Sequence, residues 1–195
     1  MKLTAAIALV VAAAISSTTA ASARDAATPS PSSCGGQLWR LKTLSDRGRH
    51  VVELQPKTTT ISDIAERPFP RPIPRVRRTP FQRQAWEVVA QITKFRVEAS
   101  GIRLELFSAG TYLNAVMPTP ACLTRATRAR PTIAATFRQF VADCGQPTQN
   151  GWHSLGAVVH VRGVGFWSQR RGLRGSARNG AELHPVTGLS VVAGC

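Results

Sequence analysis

The chain has 195 residues, with 25 lysines and arginines against 10 aspartates and glutamates, a formal charge of +15 carried almost wholly by arginine. Beyond the first segment, no stretch reaches the roughly 20 apolar residues that a membrane helix needs, which excludes a helical membrane anchor in the body of the chain. No C-x-x-C spacing occurs, which excludes a zinc knuckle or a thioredoxin-type dithiol.

Residues 1–23 have the three parts of a secretory signal: Lys2, an apolar run from Leu3 to Ile15, and small residues ending at Ala21 and Ala23. Cleavage before Arg24 is expected, with Ala20 a second possible end. A secreted or periplasmic location follows. Cys34 follows "SPSS" rather than an aliphatic residue, so a lipoprotein anchor is set aside. About 170 residues then remain, enough for one domain with a single core. Cys34, Cys122, Cys144 and Cys195 are an even set in an exported chain, so two disulfides are expected. Four cysteines allow three connectivities. Cys34 with Cys122 and Cys144 with Cys195 would tie both tails to the domain, but the sequence leaves the choice open.

Residues 24–33 are small, polar and proline-bearing, which predicts a flexible tail. Residues 34–80 read as an N-terminal extension. "QLWRLKTLSDRGRHVVEL" predicts two short strands around a turn at Asp46 to Gly48, and Thr60 with Asp63 predicts a capped short helix through Ala65. "RPFPRPIPRVRRTP" at 67–80 holds too many prolines for a helix or central strand, and predicts an extended strap. Residues 81–195 form the main domain. "AWEVVAQITKFRVEA" is long for a strand and predicts an internal bulge. "IRLELF" and "TYLNAVM" alternate strictly and continue a meander, with Arg103 and Glu105 opposite Ile102 and Leu104. "RPTIAATFRQFVADC" places Ile133, Phe137, Phe140 and Val141 at helical spacing. "AVVHVRGVGFW" and "AELHPVTGLSVV" are the last two strands, with Val159 and Val161 inward on the first.

The expected fold is therefore mainly β with one helix, an OB-fold-like five-stranded barrel of order β-β-β-α-β-β preceded by a short β and strap extension. A small β-sandwich with one helix is the alternative. Ligands of such barrels lie across the second and third strands and are gripped by the loop between the fourth and fifth. Here that loop is "SQRRGLRGSARNG", one of the two segments that concentrate the charge.

Cys34-Gly35, then Trp39, Lys42, Thr43 and Asp46, then Gln55 to Ile61 open a recognisable pattern. Val161, Gly163, Val164, Gly165 and Phe166, then Gly172, Gly175, Ala177, Asn179, Gly180, Glu182, Leu183, His184, Pro185 and Val186 close it. These residues resemble a family of secreted bacterial proteins of unassigned function. Departures fall at polar positions: Ser168 stands where that pattern carries aspartate, Arg171 and Leu173 where it carries histidine and glutamine, and Arg103 where its hairpin carries histidine. The resemblance implies that, if the family contains hydrolases, this chain has lost the chemistry.

Arg170, Arg171, Arg174 and Arg178 on the glycine-rich loop, with Arg103, Tyr112 and Trp167, form the expected ligand set, because guanidinium forks match phosphate, sulfate or carboxylate and aromatic faces stack. The expected partner is a polyanion: nucleic acid, acidic glycan or an anionic envelope surface. An arginine-rich, lysine-poor composition is also what a GC-rich genome produces without any partner. The alternative function is a metal-assisted hydrolase or phosphodiesterase using Glu182, His184 and His160, but no histidine or acid lies at metal-ligand spacing with them and no cofactor is indicated. Without a third group, Glu182 reads as the partner of a loop arginine and His184 as a strand-edge residue before Pro185.

Overall fold

The computed structural model describes residues 34–145, 151–169 and 175–195, so the expected signal and tail at 1–33 and Arg170, Arg171 and Arg174 lie outside the described residues. The described chain is mainly β: six strands in one sheet with three α-helices. In order these are α1 (Trp39–Lys42), β1 (Glu53–Thr58), α2 (Ile61–Glu66), β2 (Gln84–Glu98), β3 (Gly101–Ser108), β4 (Thr111–Pro118), α3 (Arg130–Cys144), β5 (His153–Trp167) and β6 (Ala181–Ala193).

β2, β3 and β4 form an antiparallel meander. β6 then pairs parallel with β4 through Asn114 opposite Glu182 and Ala115 opposite Leu183, and β5 lies antiparallel between β6 and β2. The pairing therefore returns to β2, so five strands make a closed circuit. β3 pairs with β2 only from Gln91 onward, which leaves the edge at Gln84 to Glu87 for β1, added in parallel.

Side-chain alternation explains the core. Ile102, Leu104 and Leu106 of β3, and Leu113, Ala115 and Met117 of β4, are all buried inside the circuit. On β2 the inward phase runs through Trp86, Val88, Ala90 and Ile92, then shifts to Phe95 across an irregularity between Ile92 and Lys94. One extra residue there flips the face, so this long strand can serve both neighbours. Gly165 of β5 lies on the inward phase, where an added Cβ would stand 2.1 Å from the Phe81 carbonyl oxygen. α3 closes one end of the core with Phe140 edge-on to Phe95 at 5.5 Å.

The expected hairpin in 37–54 is corrected. Trp39–Lys42 is a single helical turn, Arg47–Val51 a 3-10 turn, and only Glu53–Thr58 a strand. Thr43 closes the first turn by donating its hydroxyl to the Trp39 carbonyl at 3.0 Å. Leu44 and Val52 of this extension pack with Ala85, Val164, Leu123 and Ile133 into a second, smaller core. α2 is capped as expected, with the Thr60 hydroxyl accepting from the Asp63 amide and the Asp63 carboxylate accepting from the Thr60 amide.

The strap has neither helix nor strand through residues 67–79. Arg77 fixes it from within: buried, it donates from Nη2 to the Leu41 carbonyl at 2.8 Å and to Asp46 at 2.9 Å, and from Nη1 to the Gln82 carbonyl at 3.0 Å. Arg128 clamps the extension likewise, its Nη1 within 2.7 to 3.1 Å of the Arg49, His50 and Val52 carbonyls. The disulfides are Cys34–Cys122, which anchors the start of the extension, and Cys144–Cys195, which ties the end of α3 to the end of the chain.

Candidate functional site

Two rows of side chains cross the outer face of β3, β4 and β6. The register aligns Glu105, Asn114, Glu182 and Phe166 in one row, with Arg103 and Val116 paired in the next. An outward phase ordinarily faces water, yet Arg103, Glu105, Asn114, Glu182 and His184 are each less than 5% exposed. Buried polar groups need partners, and most have them. Arg103 donates from Nε to Glu98 at 2.9 Å and from Nη1 to Glu182 at 3.3 Å, and Arg96 reaches the same Glu98 at 2.6 Å. Thr93 donates its hydroxyl to Glu105 at 2.7 Å, and Asn114 its amide to the Ser176 hydroxyl at 2.9 Å. Burial alone would lower the Arg103 pKa, but Glu182 and Glu98 outweigh it and raise the value.

His184 is the exception. Among the described residues neither ring nitrogen has a hydrogen-bond partner, and its ring meets the edge of Phe166 at 5.7 Å. Burial first, then the nearby Lys42 and Arg103 cations, push its pKa well below the ordinary histidine value, so the imidazole is neutral at neutral pH. Glu182 faces Arg103 rather than His184, so the two do not form a hydrogen-bonded acid/base dyad. His160 stands elsewhere: it is 39% exposed beside Glu87 at 3.7 Å, six residues along β5 from the Phe166 that pairs with Glu182, about 20 Å away. The three weak catalytic candidates do not converge. Among the described residues no three histidines, cysteines or acids are grouped to hold a metal ion.

Two of the expected ligand residues are corrected by burial. Trp167 is 2% exposed, packed against Phe81 and Phe69 with ring centroids at 4.9 and 5.9 Å, and its indole N–H donates to Thr79. It is core, and cannot stack on a ligand. Arg103 lies under the surface in its carboxylate network, where it pairs with Glu182 and Glu98.

Tyr112 and Arg178, distant in sequence, line one 370 Å³ cleft. α2 supplies one wall with Ser62, Ala65 and Glu66; the β3–β4 turn supplies Gly110, Thr111 and Tyr112; the approach to β6 supplies Ser176 and Arg178. Ser62 and Thr111 share a hydrogen bond at 3.3 Å across it. Arg178 is solvent-exposed, 3.7 Å from an equally open Glu66, an ion pair weak enough for an incoming anion to displace. Asn179 holds the approach in place: its amide donates to the Ile64 and Arg67 carbonyls at 2.8 and 2.9 Å, and its carbonyl accepts from the Ala181 amide. An Asn-Gly pair is a turn signal in any sequence, but the docking of the Asn179 side chain onto the end of α2 has none.

No family model matches this chain, and no curated protein matches it. Among solved structures, a Leishmania major Friedlin chain named as an aspartyl-tRNA synthetase is similar over 74% of this chain and 22% of its own length, with a TM-score of 0.44 and 12% identity. No helix among the described residues is long and apolar enough to cross a membrane.

Proposed function

We propose that this chain is an exported, polyanion-binding protein of the OB-fold type, and that the Tyr112–Arg178 cleft is part of its ligand surface. The strand circuit supports this reading: meander, helix, then two strands, with the last strand set between the third and fourth and the fourth returning to the first, is the order expected of an OB-fold. In that fold the binding surface is the second and third strands with the loop between the fourth and fifth. Tyr112 lies on the third of these strands and Arg178 on that loop. Two disulfides are compatible with an oxidising compartment.

The observation that carries the reading is the convergence of Tyr112 and Arg178 on one cleft, on the connection whose sequence also holds Arg170, Arg171 and Arg174. The Arg103–Glu182 pair and the neutral His184 favour binding over hydrolysis, because Glu182 is held by Arg103 and, among the described residues, neither nitrogen of His184 bonds a hydroxyl or a thiol. Competition binding tests it. A labelled heparin fragment should be displaced by oligonucleotide and by heparin but not by uncharged dextran; displacement by dextran, or no binding of the labelled fragment, overturns it.

A further inference from the structure

A second groove lies on the extension, bounded by the Gly35–Leu41 segment, the 3-10 turn at Arg47 and the strap at Arg75 and Val76. Its volume is 590 Å³, within the range of ligand sites. Its apolar lining, or floor, comes from Leu38, Trp39, Leu41 and Val76, the last 54% exposed. Arg40, Arg47 and Arg75 stand around it.

These three arginines differ from the others of the extension. Arg77 and Arg128 are committed to internal carbonyls, whereas the guanidinium groups of the exposed Arg40, Arg47 and Arg75 make no hydrogen bond or ion pair among the described residues. Among the described residues that line the groove the one acid, Asp46, is already taken: Arg77 donates to its Oδ1 from both Nε and Nη2, at 3.2 and 2.9 Å. Three uncompensated guanidinium groups thus ring an apolar, aromatic floor. The walls are fixed before any ligand arrives. Arg77 bolts the Leu41 carbonyl and Asp46 to the strap, and Cys34–Cys122 holds the start of the segment, so binding orders little chain.

We propose that this groove binds single-stranded nucleic acid, with phosphates on Arg40, Arg47 and Arg75 and a base on Trp39. Charge complementarity fixes the sign of the ligand. The floor narrows its class, because a ligand must present both anionic groups and a flat apolar face within one groove, and a nucleotide does so in every repeat. Inorganic phosphate and a heparin fragment satisfy only the rim. The site stands apart from the Tyr112–Arg178 cleft and does not depend on it.

Fluorescence anisotropy of a labelled oligo-dT and of an abasic oligomer of equal length, with the full exported chain, tests the proposal. The base adds about tenfold in affinity for the wild type. Trp39→Ala abolishes the preference for oligo-dT over the abasic strand, and Trp39→Phe keeps part of it. Arg40→Ala/Arg75→Ala, two exposed changes that leave the fold intact, lower the slope of log K against log salt by about two. Tyr112→Ala/Arg178→Ala leaves the oligo-dT preference in place. Equal wild-type affinity for both strands overturns the proposal, as does an unchanged preference in Trp39→Ala; either result leaves polyanion binding at the other cleft standing.

Discussion

Arg103 on β3 donates from Nη1 to the Glu182 carboxylate on β6 at 3.3 Å, across the intervening β4, and both side chains are buried, at 5% and 2% exposure. Glu98 holds the same guanidinium from its other edge. A carboxylate so placed is a counter-ion rather than a general base. Removing the arginine alone leaves Glu182 charged and buried without its partner, so Arg103→Ala lowers the unfolding free energy by about 3–5 kcal/mol. Arg103→Met with Glu182→Leu, which removes both charges, costs less than the single change. Urea unfolding at pH 7 separates the two; an Arg103→Ala protein as stable as the wild type would remove the network from the account.

His184 gives stability a pH dependence whose sign follows from its depressed pKa. In the unfolded chain the imidazole binds a proton near pH 6.5, and in the folded protein only well below that. Below pH 6.5 the unfolded state therefore carries more protons, and stability falls as pH falls, by up to about 1.4 kcal/mol per pH unit from this residue. Above pH 6.5 its contribution is flat. His184→Leu flattens the acid side between pH 5 and 6.5 in a series of denaturant midpoints. A wild-type and variant difference independent of pH across that range contradicts the neutral assignment.

The disulfides close loops with sequence separations of 88 and 51 residues. Loop-closure entropy in the unfolded chain makes each worth about 4 kcal/mol. Cys144→Ser/Cys195→Ser detaches the end of α3 from the last strand and lowers stability by about that amount, with extra hydrogen exchange in α3. The untreated protein shows no reactive thiol by thiol titration, since the described structure has no free cysteine.

Asn179 joins the approach to β6 with the carbonyls that end α2. Asn179→Ala removes the two donors to those carbonyls and the acceptor for the Ala181 amide, and costs about 1–3 kcal/mol. Because α2 is a wall of the Tyr112–Arg178 cleft, heparin affinity falls as well. Asn179→Asp retains the acceptor but not the donors and recovers stability only in part.

Where one face of a strand meets the core and alternation is strict, the sequence is transparent: β3 and β4 show their inward residues directly, and the long β2 announces its bulge. Trp167 was equally legible, since it keeps the phase of Val159 and Val161 and so points inward. That parity overrides its expected place among the ligand residues. Arg103 and His184 were not legible. Alternation assigns them correctly to the outer face but cannot say that the outer face is covered. The segment around Trp39 misleads for a different reason, because apolar residues two apart suit a short strand and a single helical turn alike, and the Thr43–Trp39 hydrogen bond decides for the turn. Likewise Arg40, Arg47 and Arg75 are scattered over two segments, and only folding gathers them around one groove.

The salt dependence of heparin binding tests the central claim most directly, because releasing counterions from a polyanion gives a linear fall of log K with log salt. The account predicts such a fall for the wild type, with the slope reduced by about one in Tyr112→Ala/Arg178→Ala and the affinity lowered at every salt concentration. A wild-type affinity that does not change with salt, or a double variant indistinguishable from the wild type, would contradict it.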